Sequence, residues 1–232
     1  MKNNKFSASV IIVALVSSLL TVAHATVITF EELPGGLTAM GNAPSAAVPT
    51  SSQLTNQYLA SSGVSFTSLA GYAALVNHGI GNPTASNPNI IGGTTSSGGL
   101  DYDAPITISF FDVANTSINA VTDSFKIQGD WFPLGSGQVF ATAYSADGNV
   151  LGSTSDTDNK VFGVSGPVLQ FSFGGIHSVV ISGNNGTVGF DQLEYGVLTP
   201  VPDASVPEPE TLVLMLSGLG FIGFLARRRT LA

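Results

Sequence analysis

The chain has 232 residues with 15 acidic and 7 basic side chains, a formal net charge of −8, and no cysteine. These values exclude a disulfide framework, a thiol nucleophile and a zinc site of cysteine type. They also argue against nucleic acid as a partner, because binding a phosphate backbone needs clustered lysine and arginine.

Read from its start, the sequence opens on an export signal. Lys2 and Lys5 form a basic region, Val10–Leu20 a largely apolar one, and Ala23-His24-Ala25 a small-x-small cleavage site. This predicts a signal peptide over residues 1–25, with the mature start at Thr26 and His24 discarded. Residues 26–205 then give 180 residues, enough for one domain with a sizeable core. That stretch holds Lys126 and Lys160 against thirteen acids, a net charge near −11. Such a balance fits calcium or a neutral polysaccharide as a partner, and it keeps an exported protein soluble.

The periodicity from Thr26 onward is that of strands. Thr26–Phe30 is a short β-type run halted by Pro34-Gly35-Gly36. Leu37–Asn56, rich in Ala, Ser, Pro and Gly, reads as a long surface loop. Gly63–Leu69 alternates, with Val64, Phe66 and Leu69 inward, and Tyr72–Val76 is the next predicted strand. Asn77–Leu100 is Gly, Asn, Pro, Ser and Thr around a single Ile90-Ile91 pair, and reads as a long functional or mobile loop. Ile106, Ile108 and Phe110 restart the alternation, which Ser117–Gln128 continues less regularly. Val139–Ser145 and Val150–Ser155 flank Asp147-Gly148, a hairpin signal. Leu169, Phe171 and Phe173 form an inward face, Val179 and Ile181 another, and Thr187–Tyr195 supplies the closing strand. Roughly nine or ten short strands without a convincing helix predict an all-β fold: a single antiparallel β-sandwich, jelly-roll-like, over residues 26–200.

The C-terminal stretch is of a different kind. Residues 201–210 form a proline-rich acidic linker that contains Pro207-Glu208-Pro209. Thr211–Ala226 follows with 16 residues and no charge. At ~1.5 Å per residue this predicts a transmembrane helix of roughly 24 Å. Arg227, Arg228 and Arg229 open a basic tail over residues 227–232 that holds its end on the cytoplasmic side. This order of pieces resembles the PEP-CTERM sorting signal of Gram-negative bacteria, with the motif carried by Pro207, Glu208, Pro209 and Thr211 and the basic end by the three arginines. The resemblance implies processing by an exosortase. It also implies a transient inner-membrane intermediate and delivery to the cell surface or an exopolysaccharide matrix of the biofilm kind. Two inner phrases, Ala143–Gly152 and Gly175–Ile181 with Gly189–Leu193, resemble those of lectin-like sandwiches related to carbohydrate-binding modules.

Candidate chemistry lies mainly in the acids. Glu31-Glu32 follows the first strand, and Asp191 and Glu194 lie on the last. Terminal strands of such sandwiches are often neighbours, and carboxylates so placed repel unless a cation intervenes. The resemblance to calcium-binding carbohydrate modules points to Glu31 and Asp191 first, as ligands of a structural Ca²⁺, with Glu32 and Glu194 behind them. Asp101-Tyr102-Asp103 and Asp156-Thr157-Asp158-Asn159 have the spacing of calcium loops but lack the glycine and distal glutamate of an EF-hand. Paired acids also serve a glycosidase, so a secreted polysaccharide hydrolase is the alternative function. No pair among the thirteen is singled out for that work, and an enzyme is not the expectation. His78 and His177 have no serine elbow beside them. Gly218–Gly223 matches a dinucleotide-binding spacing but sits inside the apolar C-terminal segment, with no following βαβ unit. Tyr72, Tyr102 and Trp131 are the aromatic candidates for stacking on a sugar.

Overall fold

The structure, a computed structural model, describes residues 25–79, 86, 88–129, 138–157, 166–184, 188–201 and 216–217. In chain order the strands are β1 (Thr26–Ile28), β2 (Met40–Gly41), β3 (Gln53–Leu54), β4 (Val64–Thr67), β5 (Ala73–Asn77) and β6 (Asn89–Thr94). They continue with β7 (Leu100–Asp101), β8 (Ile106–Phe110), β9 (Ala120–Val121), β10 (Phe125–Gly129) and β11 (Gln138–Tyr144). The last are β12 (Val150–Thr157), β13 (Val168–Phe171), β14 (Ser178–Gly183), β15 (Phe190–Tyr195) and β16 (Thr199–Pro200). One helical turn, α1 (Leu59–Ser62), precedes β4 and ends on Gly63, whose φ of 66° supplies a left-handed cap.

Two sheets carry the fold, as the alternation predicts. A nine-stranded sheet runs β13-β10-β15-β6-β5-β2, with β1 beside β15, β3 beside β5 and β7 beside β6. A five-stranded sheet runs β12-β11-β14-β8-β4. Apart from the parallel β2–β5 pair, the ladders are antiparallel. The inward residues of both sheets form one core. Phe30, Leu75, Ile91, Ile127, Phe190 and Leu193 of the larger sheet side pack with Phe66, Ile108, Phe110, Ala141 and Ile181 of the smaller. The chain is therefore an antiparallel β-sandwich. Asp147-Gly148 turns the β11–β12 hairpin with Gly148 at φ 78°, and Gly148 N–H donates to Ser145 O.

Two stretches and two single residues depart from the sequence reading. Leu37–Asn56 is not a loose surface loop. It contributes β2 and β3, which close the free edge of β5, and it buries Val48 and Leu54. Asn77–Leu100 contains β6, a strand buried along its whole length. Leu75 and Ile91 face the main core, whereas Ala74, Val76 and Ile90 face a second cluster with Val48, Leu100 and Tyr102. Strands covered on both faces lose the alternating pattern that reveals half-buried ones. Leu69 and Phe173 were expected inward, yet they lie just beyond β4 and β13 at 57% and 36% exposure. The signal peptide, the linker with its sorting motif, nearly all of the apolar segment and the arginines lie outside the described residues. So do Trp131, Asp158, Asn159 and all but two residues of the 202–232 stretch.

Candidate functional site

The predicted pairing of the first and last long strands is present: Thr26 faces Tyr195, Val27 faces Glu194 and Ile28 faces Leu193. Beyond this ladder, Glu31 and Asp191 converge on Ser86. Asp191 is completely buried. Its Oδ2 accepts the Ser86 N–H at 2.5 Å, and its Oδ1 accepts the Ser86 hydroxyl at 2.8 Å and the Gln192 N–H at 2.6 Å. Glu31 Oε1 accepts the Asn89 N–H at 2.8 Å and lies 3.4 Å from Ser86 Oγ; its Oε2 accepts Asn89 Nδ2 at 3.0 Å. Main-chain oxygens join them, Thr29 O beside Ser86 Oγ at 2.7 Å and Phe30 O beside Asn89 Nδ2 at 3.1 Å.

Local backbone geometry builds this arrangement. The β10–β15 register gains one residue on β15 between the Lys126–Glu194 and Gln128–Asp191 pairs, a bulge centred on Gln192. Gln192 has φ 45° and Phe30 has φ 61°. Among the described residues only three non-glycines have positive φ, and these two adjoin the predicted ligands Asp191 and Glu31. Such conformations cost roughly 1–3 kcal/mol and persist where the surroundings hold them. Gln128, the cross-strand partner of Asp191, is buried, and its Nε2 has no hydrogen-bond partner. The donor set around Ser86 consists of hard oxygens, the chemistry that suits Ca²⁺. Among the described residues no three acidic or histidine side chains gather for a metal. An ion held by Glu31 and Asp191 would therefore draw on Thr29 O, Phe30 O and Ser86 Oγ.

The remaining candidates are placed elsewhere. Glu194 forms an ion pair with Lys126 at 2.8 Å, with the two side chains 26% and 40% exposed. Glu32 is exposed, and its carbonyl accepts the Tyr58 hydroxyl. Burial first, then the charges of Glu32 and Glu31, pushes the Tyr58 phenol up to about 12. Asp101 Oδ1 caps a turn by accepting Asp103 N–H at 3.0 Å, and Asp156 Oδ2 accepts Val168 N–H at 2.9 Å, tying β12 to β13. His177 Nδ1–H donates to Ala120 O at 3.0 Å, and His78 N–H donates to Pro88 O at 2.8 Å. Tyr102 is 2% exposed in the second cluster, with its hydroxyl 3.0 Å from Asn42 Oδ1, while Tyr72 packs against that cluster.

Ser86, Asn89 and Gln128 were not legible as site residues. The first two sit in the Asn77–Leu100 stretch, read from sequence as a long functional or mobile loop, which holds no acid to carry a chemical signal.

A second feature is the outward face of the five-stranded sheet. One cross-strand row reads Thr67, Thr107, Val180, Thr142 and Ser153. The next reads Ser65, Ser109, Ser178, Tyr144 and Val150. Phe140 adds a third, between Ser182 and Ser155. No charged residue stands in these rows. Phe140 is 38% exposed, and Thr142 bonds Ser153 across strands at 3.0 Å.

The described residues thus define an all-β antiparallel sandwich with a buried carboxylate where its terminal strands meet. Residues 205–229 match the PEP-CTERM protein-sorting motif. The chain is an exported protein carrying an exosortase-sorting signal, and the motif implies a membrane-anchored intermediate before release. No curated protein sequence matches the chain. Among solved structures, a DUF4465 family protein from Bacteroides caccae is similar at 14% identity, covering 77% of this chain and 100% of that one, with a TM-score of 0.40. The enzymatically active domain of bacteriophage CBA120 tailspike protein 4 is similar at 10% identity, covering 63% and 20%, with a TM-score of 0.29. An arabinose-bound α-L-arabinofuranosidase is similar at 13% identity, covering 76% and 31%, with a TM-score of 0.28.

Proposed function

We propose that the sandwich serves as a structural or glycan-binding module at the cell surface or in the extracellular matrix, with exopolysaccharide as its partner. In this reading a signal peptide directs export, the C-terminal segment holds the chain briefly in the inner membrane, and an exosortase processes the tail. The observation that carries the reading is the joining of a sorting motif at residues 205–229 to a β-sandwich whose five-stranded sheet presents half-buried to exposed, uncharged cross-strand rows. A single structural Ca²⁺, held by Glu31 and Asp191, is part of the proposal. It draws support from the oxygen-rich convergence on Ser86 and from the two positive-φ residues beside the carboxylates. Complete burial of Asp191 favours an ion-holding or tethering role over acid–base work on a substrate.

A glycan array read beside a reducing-sugar release assay tests the module. Retention on at least one glycan without release of sugar is the expected result. Sugar release abolished by Asp191→Asn or Glu31→Gln would replace the module with a polysaccharide hydrolase. For the ion, a chelator should lower the thermal midpoint and added Ca²⁺ should restore it. A midpoint indifferent to both removes the metal.

A further inference from the structure

We propose that the outward face of the five-stranded sheet is the docking surface for an uncharged polysaccharide, with Phe140 and Tyr144 as its stacking platforms. This deepens the glycan-binding reading and rests on it.

Charge distribution is the first argument. Residues 26–205 carry thirteen acids against two bases, yet none of the residues in the three cross-strand rows is charged. Among the described residues the three rows offer an anionic polymer no base to compensate its charge, and Lys126 stands on β10 of the other sheet. A cationic one finds its attraction elsewhere on the molecule. A neutral polymer is the ligand whose charge matches the face.

Hydroxyl chemistry is the second. Thr107, Ser109 and Ser178 stand on adjacent strands ~4.8 Å apart, each able to donate and accept. Among the described residues their hydroxyls make no side-chain hydrogen bond within the protein. A polyhydroxylated chain offers the same two-way capacity, so the pairing requires no ionised group on either side.

Ring placement is the third. Phe140 and Tyr144 lie on one face of β11, roughly 14 Å apart at ~3.4 Å per residue, with Thr142 midway. Each can rest its π face against the C–H side of a sugar ring while the hydroxyl rows address the edges. That separation asks for an extended oligosaccharide and not a single sugar. The aromatic candidates picked from sequence, Tyr72 and Tyr102, are committed to the second cluster by contrast.

The test is affinity electrophoresis of the full-length chain in mild detergent through gels containing mixed-linkage β-glucan, xylan or galactomannan, with alginate as the anionic control. The parent chain should be retarded by at least one neutral polymer and not by alginate. Phe140→Ala and Tyr144→Ala should each weaken that retention about tenfold. Ser153→Glu, on the exposed edge strand, should abolish it without moving the thermal midpoint. The exposed Val27→Ser, on β1 of the other sheet, should leave retention unchanged. Retention that survives all three face substitutions overturns the placement while the glycan reading stands. No retention of the parent on any neutral polymer overturns both. Stronger retention by alginate, or a dimer that the same substitutions dissociate, overturns the proposal by naming an anionic polymer or a second copy as the occupant.

Discussion

At the scale of single residues, the two acids of β15 show how burial sets the value of a charge. Asp191 is fully buried and among the described residues accepts the Ser86 N–H, the Ser86 hydroxyl and the Gln192 N–H. Replacing it with alanine removes the acceptor those donors share, and each buried donor left without one costs about 1–3 kcal/mol. We expect Asp191→Ala to lower the urea-derived stability by on the order of 3 kcal/mol. Glu194, three residues on, pairs with Lys126 where both side chains keep contact with water. Exposed pairs of this kind are worth roughly 0–1 kcal/mol. Lys126→Met should therefore change stability by less than about 1 kcal/mol. Equal losses for the two variants would show that the Ser86 convergence contributes nothing special. Sequence spacing placed both acids near the first strand. The bulge at Gln192 turns Asp191 onto the face that Glu194 shares, and the covering Ser86 is what separates their fates; nothing in the residue order of Phe190–Tyr195 announces a bulge.

At the scale of elements, β6 is the strand the sequence concealed and the one the larger sheet needs most. It joins β15 to β5, so without it the nine-stranded sheet divides. Its glycines explain how it fits. A Cβ on Gly93 would lie 2.2 Å from the Ala104 carbonyl oxygen, a main-chain atom that cannot turn aside. A Cβ on Gly92 would meet Leu100 Cδ1 at 2.8 Å and Tyr102 Cε1 at 3.0 Å, both side-chain atoms with some freedom. Overpacking of this sort costs about 1–3 kcal/mol. Gly93→Ala is expected at or above the top of that range and Gly92→Ala near the bottom. Urea unfolding of the two variants checks the order, and a reversed ranking would mean that the 102–105 segment yields more readily than the second cluster. The half-buried strands β4, β8, β11 and β14 were legible because their polar and apolar residues alternate. In β6, Asn89-Ile90-Ile91-Gly92-Gly93-Thr94 has no alternation to read, and its glycines look like a turn.

At the scale of the whole molecule, the sorting motif was the most legible part, since it is written in local composition and order. The sandwich class followed from periodicity, and the Glu31–Asp191 convergence from the adjacency of terminal strands. The hydroxyl face was hidden because it exists only once β11 is paired with β12 and β14. Another property belongs to the assembled molecule: two tyrosines fasten β1 and α1 to the sandwich. The Tyr58 hydroxyl donates to Glu32 O, and the Tyr195 hydroxyl donates to Ser62 O at 2.5 Å. Burial pushes both phenols from the ordinary 10.0 up to about 12, with the charges of Glu32 and Glu31 adding to the rise at Tyr58. Raised values in the folded state mean that unfolded tyrosines give up protons first as pH climbs. The stability held by the protonated phenols is complete below the unfolded value of 10.0 and is lost as pH rises through the folded value of about 12. The urea midpoint should stay level up to about pH 9 and then fall steadily between about pH 10 and 12, in step with tyrosinate absorbance. Tyr195→Phe cannot ionise, so its midpoint should start lower for want of the Ser62 bond and then decline less steeply over the same interval. If parent and variant decline in parallel, the alkaline transition is driven by something other than the buried phenol of Tyr195.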